Sequence, residues 1–162
     1  MNKVNTYLSL IRFYNPIGFW LLLWPGLWGL FLTNSFEIDH FTIVVLGSFL
    51  TRSLGCAIND LLDHKYDREV DRTKDRPLAN GELSFAEGII FTALLGIGCL
   101  YLLSLTNVFV ICFAAIIAIP MILLYPLMKR FLGIPQLFLG LTFGLSLPCL
   151  LYTSPSPRDA LT

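Results

Sequence analysis

Charge is scarce in this chain of 162 residues, in which charged residues make up 14% and hydrophobic residues 56%. Basic and acidic residues balance, with 11 of each, so the formal net charge is zero. A chain without excess positive charge has no long-range attraction for nucleic acid, and we expect no nucleic-acid partner. The four cysteines show no paired spacing, which favours packing thiols over a thiolate metal centre.

The chain instead contains several long apolar runs. A helix needs roughly 17–25 apolar residues to cross a bilayer, and runs of that length occur at residues 13–33, 41–58, 85–103 and 108–127. A fifth run begins near Ile134 and has reached Pro148 when the composition changes. The first run is too long for a signal peptide and lacks a small-residue cleavage site. The sequence therefore predicts an all-α, polytopic bundle of transmembrane helices in a lipid bilayer, with four complete spans and a partial fifth.

Basic residues are absent from two of the connectors between these runs, residues 34–40 and 104–107. All Lys and Arg residues before Cys149 fall on the other side of the predicted bundle. Because positive residues favour the cytoplasmic side, we expect the amino terminus and the connector after the second run to be cytoplasmic. No transit-like leader precedes Arg12, which favours a bacterial inner membrane over an organellar one.

The charges that the chain does have are concentrated in the connector after the second run. Residues 60–82 contain seven acidic and five basic side chains. If this region is helical, one stripe of its surface carries Asp60, Asp63, Asp67 and Asp71, and Asn59 lies beside that stripe. Neighbouring carboxylates about 6 Å apart repel by roughly 2–3 kcal/mol at an effective dielectric near 20, so a stack of several favours a bound cation.

Oxygen ligands of this kind favour a hard cation, and Mg²⁺ commonly joins one or two carboxylates to substrate phosphates. We expect Asn59, Asp63 and Asp67 to hold metal that grips a diphosphate, with Arg72 and Lys129 adding positive charge. Such cations would stabilise the charge that grows on the diphosphate as an allylic C–O bond breaks. Two alternatives stay open: a solvated helix that its own Lys and Arg residues neutralise, and a protein that binds or transports divalent cations.

The motifs in and after the acidic stripe are Asn59-Asp60-x-x-Asp63-x-x-x-Asp67, Arg72-Thr73-x-x-Arg76-Pro77 and Tyr125-x-x-x-Lys129, the last followed by Arg130 and Pro135-Gln136. Together they closely resemble the motifs of the UbiA superfamily of intramembrane aromatic prenyltransferases. The segments Pro16-Ile17-Gly18 and Leu21-Leu22-Leu23-Trp24-Pro25 are similar to the first helix of its 4-hydroxybenzoate polyprenyltransferase branch. The resemblance covers nearly all of residues 8–148.

The resemblance implies a UbiA-type fold, Mg²⁺ as cofactor, a polyprenyl diphosphate donor and an aromatic acid acceptor. In this branch the prenyl group passes to a ring carbon of 4-hydroxybenzoate and gives a ubiquinone precursor. An acceptor from elsewhere in the family, a naphthoate, a homogentisate or a haem, stays open, because Tyr14-Asn15 stands where this branch has an acidic and a basic residue.

The resemblance also implies roles for individual residues. The metal ligands would be Asn59, Asp63 and Asp67. The catalytic set would be Asp63, Asp67, Arg72 and Lys129. Substrate would be bound or supported by Arg12, Asp60, Asp71, Arg72, Tyr125, Lys129 and Arg130.

The chain lacks the second aspartate-rich motif that the family carries in its other half. We therefore expect residues 1–148 to be the amino-terminal half of a prenyltransferase domain, truncated at about half its length and inactive alone, because a two-metal clamp would be incomplete. Residues 149–162 abandon the fifth run and look like a translated adaptor from a sequencing library, which predicts a non-native read-through tail. A native reading frame that encodes the same tail would contradict this.

Overall fold

A computed structural model describes residues 2–32, 37–124 and 135–151 of the chain. Within these residues the protein is built from helices and turns, with no β-strand, as the apolar runs predict. In chain order the helices are α1 (Lys3–Leu10), α2 (Ile17–Leu32), α3 (Ile38–Asp67), α4 (Phe85–Ser104), α5 (Val108–Leu124), α6 (Pro135–Gly144) and α7 (Ser146–Leu151). The middle of α5, Ala114–Ala118, is π-helical.

Two of these helices, α3 and α4, are long and apolar enough to cross a bilayer. Helices α2 and α5 are also apolar but shorter, as is the stretch Leu139–Pro148. The apolar runs at residues 41–58 and 85–103 thus fall within α3 and α4. Four complete spans and a partial fifth remain a prediction.

The first apolar run, residues 13–33, becomes helical only from Ile17 onward. The chain turns after α1, and α2 begins only at Ile17. Pro16 explains the boundary, because a proline disfavours helical backbone at the residue before it and is well suited to begin a helix. Its carbonyl accepts hydrogen bonds from the amides of Phe19 and Trp20, 2.9 and 3.2 Å away. In the turn, Arg12 adopts the left-handed conformation, with φ 56°.

Helix α3 forms the centre of the bundle and packs against both α2 and α4. Leu23 and Leu30 of α2 are buried against Val44 of α3. A second apolar cluster joins α1, α3 and the connector before α4 through Leu10, Ala57, Leu78 and Leu83. This second cluster fixes the connector beside the last turns of α3, where the acidic residues lie.

The connector at residues 68–84 folds back over the end of α3. Its Leu78 and Leu83 side chains are 3% exposed each, and the Thr73 hydroxyl donates a hydrogen bond to the carbonyl of Asp67, 3.1 Å away. Ser84 and Glu87 form a capping box at the start of α4. The folded connector therefore covers the acidic face of α3 with backbone and side chains.

Candidate functional site

Three aspartates on the last turns of α3 are buried rather than solvated. Asp60, Asp63 and Asp67 are 2%, 6% and 7% exposed. Carboxylates are seldom buried without a partner, because removing an unpaired charge from water is costly. Their burial argues against a freely solvated charged helix.

Asp60 is held between two arginines that come from different parts of the chain. Its Oδ1 accepts hydrogen bonds from Arg12 Nη2 and Arg76 Nη1, each at 3.0 Å. The side-chain amide of Asn59 lies 3.4 Å from the same oxygen. The turn before α2 and the connector after α3 are thereby tied to one carboxylate.

Arg76 also binds a second buried acid, Asp67. Its Nη1 donates to Asp67 Oδ2 at 2.7 Å, so a single nitrogen contacts the carboxylates of both Asp60 and Asp67. The motif resemblance included Arg76 but assigned it no role in the site. Only its position in Arg72-Thr73-x-x-Arg76-Pro77 pointed to it, since spacing along the chain does not show that the connector folds back.

The structure shortens the predicted acidic stripe by one residue. Helix α3 ends at Asp67, so the prediction that Asp71 continues the stripe was wrong. The Asp71 side chain is 99% exposed and pairs with Lys74 at 2.9 Å. The chain turns there because the connector must return to pack Leu78 and Leu83 against α1 and α3.

The other predicted residues fall in three places. Arg12, Asn59, Asp60, Asp63 and Asp67 come together at the end of α3. Arg72 is exposed on the connector beside them. Tyr125, Lys129 and Arg130 lie outside the described residues.

The donor set at the end of α3 fits a hard cation. The described residues contain no group of three or more His, Cys, Asp or Glu side chains arranged to hold a metal. Mg²⁺, however, usually takes only one or two protein carboxylates and completes its shell with phosphate oxygens and water. Asp63, Asp67 and the amide oxygen of Asn59 supply oxygen donors of this kind, and Asp67 already faces a cationic group in Arg76.

An apolar cavity of about 370 Å³ lies further along the same helix. Helices α2 to α7 all line it, with residues that include Leu22, Val44, Leu103, Ala114, Thr142 and Ser146. Its lining residue on α3 nearest to the acids is Leu54, about 9 Å along the helix axis from Asp60. The buried aspartates and the apolar cavity therefore lie on the same helix, α3, in neighbouring stretches of its length.

Comparison with known proteins agrees with this arrangement. Residues 22–154 match the model of the UbiA prenyltransferase family. The chain belongs to the UbiA prenyltransferase family. Members of this family are integral membrane proteins, and two helices of this chain are long and apolar enough to cross a bilayer.

Relatives and a solved structure resemble the chain over nearly its whole length. A 4-hydroxybenzoate octaprenyltransferase of Marinomonas sp. (strain MWYL1) is 43% identical over 91% of this chain and 52% of its own length. One from Polynucleobacter asymbioticus is 40% identical over 90% of this chain and 51% of its own length. A solved structure concerning digeranylgeranylglyceryl phosphate synthase in membranes has a TM-score of 0.79 and 27% identity, covering 99% of this chain and 57% of that one. The chain thus spans about half the length of the relatives that it matches.

Proposed function

We propose that this chain forms the aspartate-rich half of a membrane enzyme that transfers a polyprenyl group from polyprenyl diphosphate to a ring carbon of 4-hydroxybenzoate, in ubiquinone biosynthesis. The observation that carries the proposal is the set of buried aspartates beside an apolar cavity on one helix. A polyprenyl diphosphate needs both environments, a cationic grip for its head and an apolar space for its tail. The names of the relatives supply the acceptor.

In this proposal each part of the site has a separate task. Asn59, Asp63 and Asp67 hold Mg²⁺, which when bound neutralises negative charge that develops on the diphosphate. Arg72, Lys129, Arg130 and Tyr125 add electrostatic and hydrogen-bonding support to the phosphates.

The buried ion pairs and the cavity complete the mechanism. Asp60 sets the position of Arg12 and Arg76, while Asp71 supports the connector from its exposed position. The cavity receives the prenyl chain and keeps water from the allylic carbon as its bond to oxygen breaks.

The location of the acids also bears on the rival function, cation transport. A transport pathway would need acidic side chains near the middle of a spanning helix. Here the three aspartates occupy the final eight residues of the 30-residue helix α3. This end position favours capture of a ligand at the membrane surface, where a diphosphate head would lie.

We also propose the placement of the protein in the cell. The membrane is a bacterial inner membrane, with the amino terminus and the connector at residues 68–84 in the cytoplasm. Four complete spans and a partial fifth belong to residues 1–148, and residues 149–162 are a read-through tail. The distribution of Lys and Arg supports this orientation.

A hybrid enzyme tests the proposed function. Residues 1–148 would be joined to the remaining half of the Marinomonas relative, and prenyl transfer to 4-hydroxybenzoate would be measured in liposomes. We expect Mg²⁺-dependent transfer by the hybrid, a loss of about 100-fold or more in Asp67→Asn, and no transfer by residues 1–148 alone. The exposed Lys65 gives a matched control, because Lys65→Gln changes charge on the same helix. Transfer by residues 1–148 alone, or transfer that survives chelation, would contradict the proposal.

A further inference from the structure

An arginine lies midway along α3, on the face that carries Asp60. Arg52, Cys56 and Asp60 are spaced four residues apart, which puts them on one side of the helix. Arg52 is half-buried, and Cys56, between Arg52 and Asp60, is buried. Arg52 therefore lies on the same side of α3 as the acidic site, about 12 Å along the helix axis from Asp60 and toward the middle of the helix.

The Arg52 guanidinium has no carboxylate partner among residues 2–32, 37–124 and 135–151. Arg12 and Arg76 both bind Asp60, whereas Arg52 takes part in no ion pair within those residues. The first turn of α2, against which Arg52 packs, supplies no negative charge, because the N-terminal end of a helix carries positive partial charge. Arg52 lies within the apolar run at residues 41–58, toward its proposed cytoplasmic end, and an arginine within a membrane span is costly without a partner and usually marks a functional site.

The backbone of α2 is shaped to admit this side chain. Gly18 is buried and is the second residue of α2. A Cβ at Gly18 would overlap Nε and Cζ of Arg52 and would lie 2.7 Å from Nη2. The guanidinium therefore occupies the space that any larger residue at position 18 would fill.

We propose that Arg52 binds the carboxylate of the aromatic acid acceptor. This inference rests on the proposed function and assigns a residue to its second substrate. An aromatic acid needs one cation for its carboxylate and an apolar wall for its ring. Thr51 and Leu54, on either side of Arg52 in the sequence, line the apolar cavity. The diphosphate is held further along α3, at Asn59, Asp63 and Asp67, so Arg52 is placed to serve a different anion.

Binding of small probes to the full chain in detergent tests this assignment. The probes are 4-hydroxybenzoate, phenol, which lacks the carboxylate, and inorganic pyrophosphate with Mn²⁺. We expect Arg52→Gln to weaken 4-hydroxybenzoate binding roughly tenfold or more, because a charge-assisted hydrogen bond is lost. Phenol binding should not change. Arg52→Lys should lose less affinity for 4-hydroxybenzoate than Arg52→Gln, because lysine keeps the positive charge but lacks the planar, two-pronged guanidinium.

Two glycine substitutions, one beside Arg52 and one away from it, distinguish carboxylate binding by Arg52 from a general effect on folding. Gly18→Ala displaces the flexible Arg52 side chain and should reproduce the loss seen in Arg52→Gln. Gly55→Ala is the control, because a Cβ there meets no atom within 4 Å. Helix content measured by circular dichroism should be equal in all of these variants.

The outcomes distinguish this proposal from the enzyme assignment. Unchanged 4-hydroxybenzoate binding in Arg52→Gln, an equal loss for phenol, or no binding by the wild-type chain would overturn it. A loss confined to pyrophosphate would identify the donor phosphate as the anion and would also overturn it. Failure of the hybrid to transfer a prenyl group would instead remove the proposed function, while carboxylate binding at Arg52 could still be measured.

Discussion

At the scale of single residues, arginines make the burial of the acidic cluster possible. The Asp60 side chain is 3% exposed and depends on Arg12 and Arg76 for its charge balance. Removing one partner of a buried ion pair typically costs about 3–5 kcal/mol, because the other charge is left without compensation. The cost at Arg12 should be smaller, since that side chain is 33% exposed.

The backbone of Arg12 gives a prediction at this scale. Its φ of 56° lies in the left-handed region, which costs a residue with a Cβ roughly 1–2 kcal/mol and costs glycine little. Both Arg12→Gly and Arg12→Ala lose the contact with Asp60, so both should be less stable than wild type. We expect Arg12→Gly to be more stable than Arg12→Ala by about 1 kcal/mol, as measured by denaturant unfolding in detergent. Equal stability of the two variants would show that the left-handed conformation stores no strain.

At the scale of elements, the contact between α3, α4 and the connector positions the site. Gly88 on α4 is buried where these three parts meet. A Cβ at this position would lie 2.9 Å from Leu78 Cδ2 and 3.1 Å from Leu61 Cδ2. Since Leu78 is itself buried, it has little room to move away.

This close packing predicts different effects at two glycines of α4. Gly88→Ala should lower the free energy of unfolding by about 1–3 kcal/mol relative to Gly96→Ala, because overpacking strains a filled core. Gly96 is the matched control, since a Cβ there meets no atom within 4 Å and both changes gain the same helix propensity. Thermal unfolding of the two variants in one detergent measures the difference. If Gly88→Ala proved as stable as Gly96→Ala or more stable, this description of the packing would be contradicted.

The elements also show how far the sequence determines the site. Apolar run lengths located α3 and α4, and the spacing of Asp60, Asp63 and Asp67 gave one helical face correctly. The end of α3 at Asp67 could not be predicted, because a charged stretch gives no apolar period from which to read a boundary. Arg76 and Arg52 were missed for a related reason: their roles depend on contacts with distant residues, Asp60 and Gly18.

At the scale of the whole molecule, the arrangement separates a polar end from an apolar interior. Arginines and aspartates gather where α3 ends, and the cavity lies toward the middle of the bundle. The chain spans about half the length of the relatives that it matches. From this arrangement we propose that the acidic end of α3 binds metal together with a diphosphate.

The most direct test of that claim is Mn²⁺ binding to the full chain, measured by electron paramagnetic resonance with and without inorganic pyrophosphate. Because Mg²⁺-type sites complete their shell with phosphate oxygens, we expect pyrophosphate to tighten Mn²⁺ binding by about tenfold or more. That gain should disappear in the double variant Asp63→Asn, Asp67→Asn and persist in Lys65→Gln. Mn²⁺ binding of equal strength with and without pyrophosphate would contradict the account and favour a cation-binding protein.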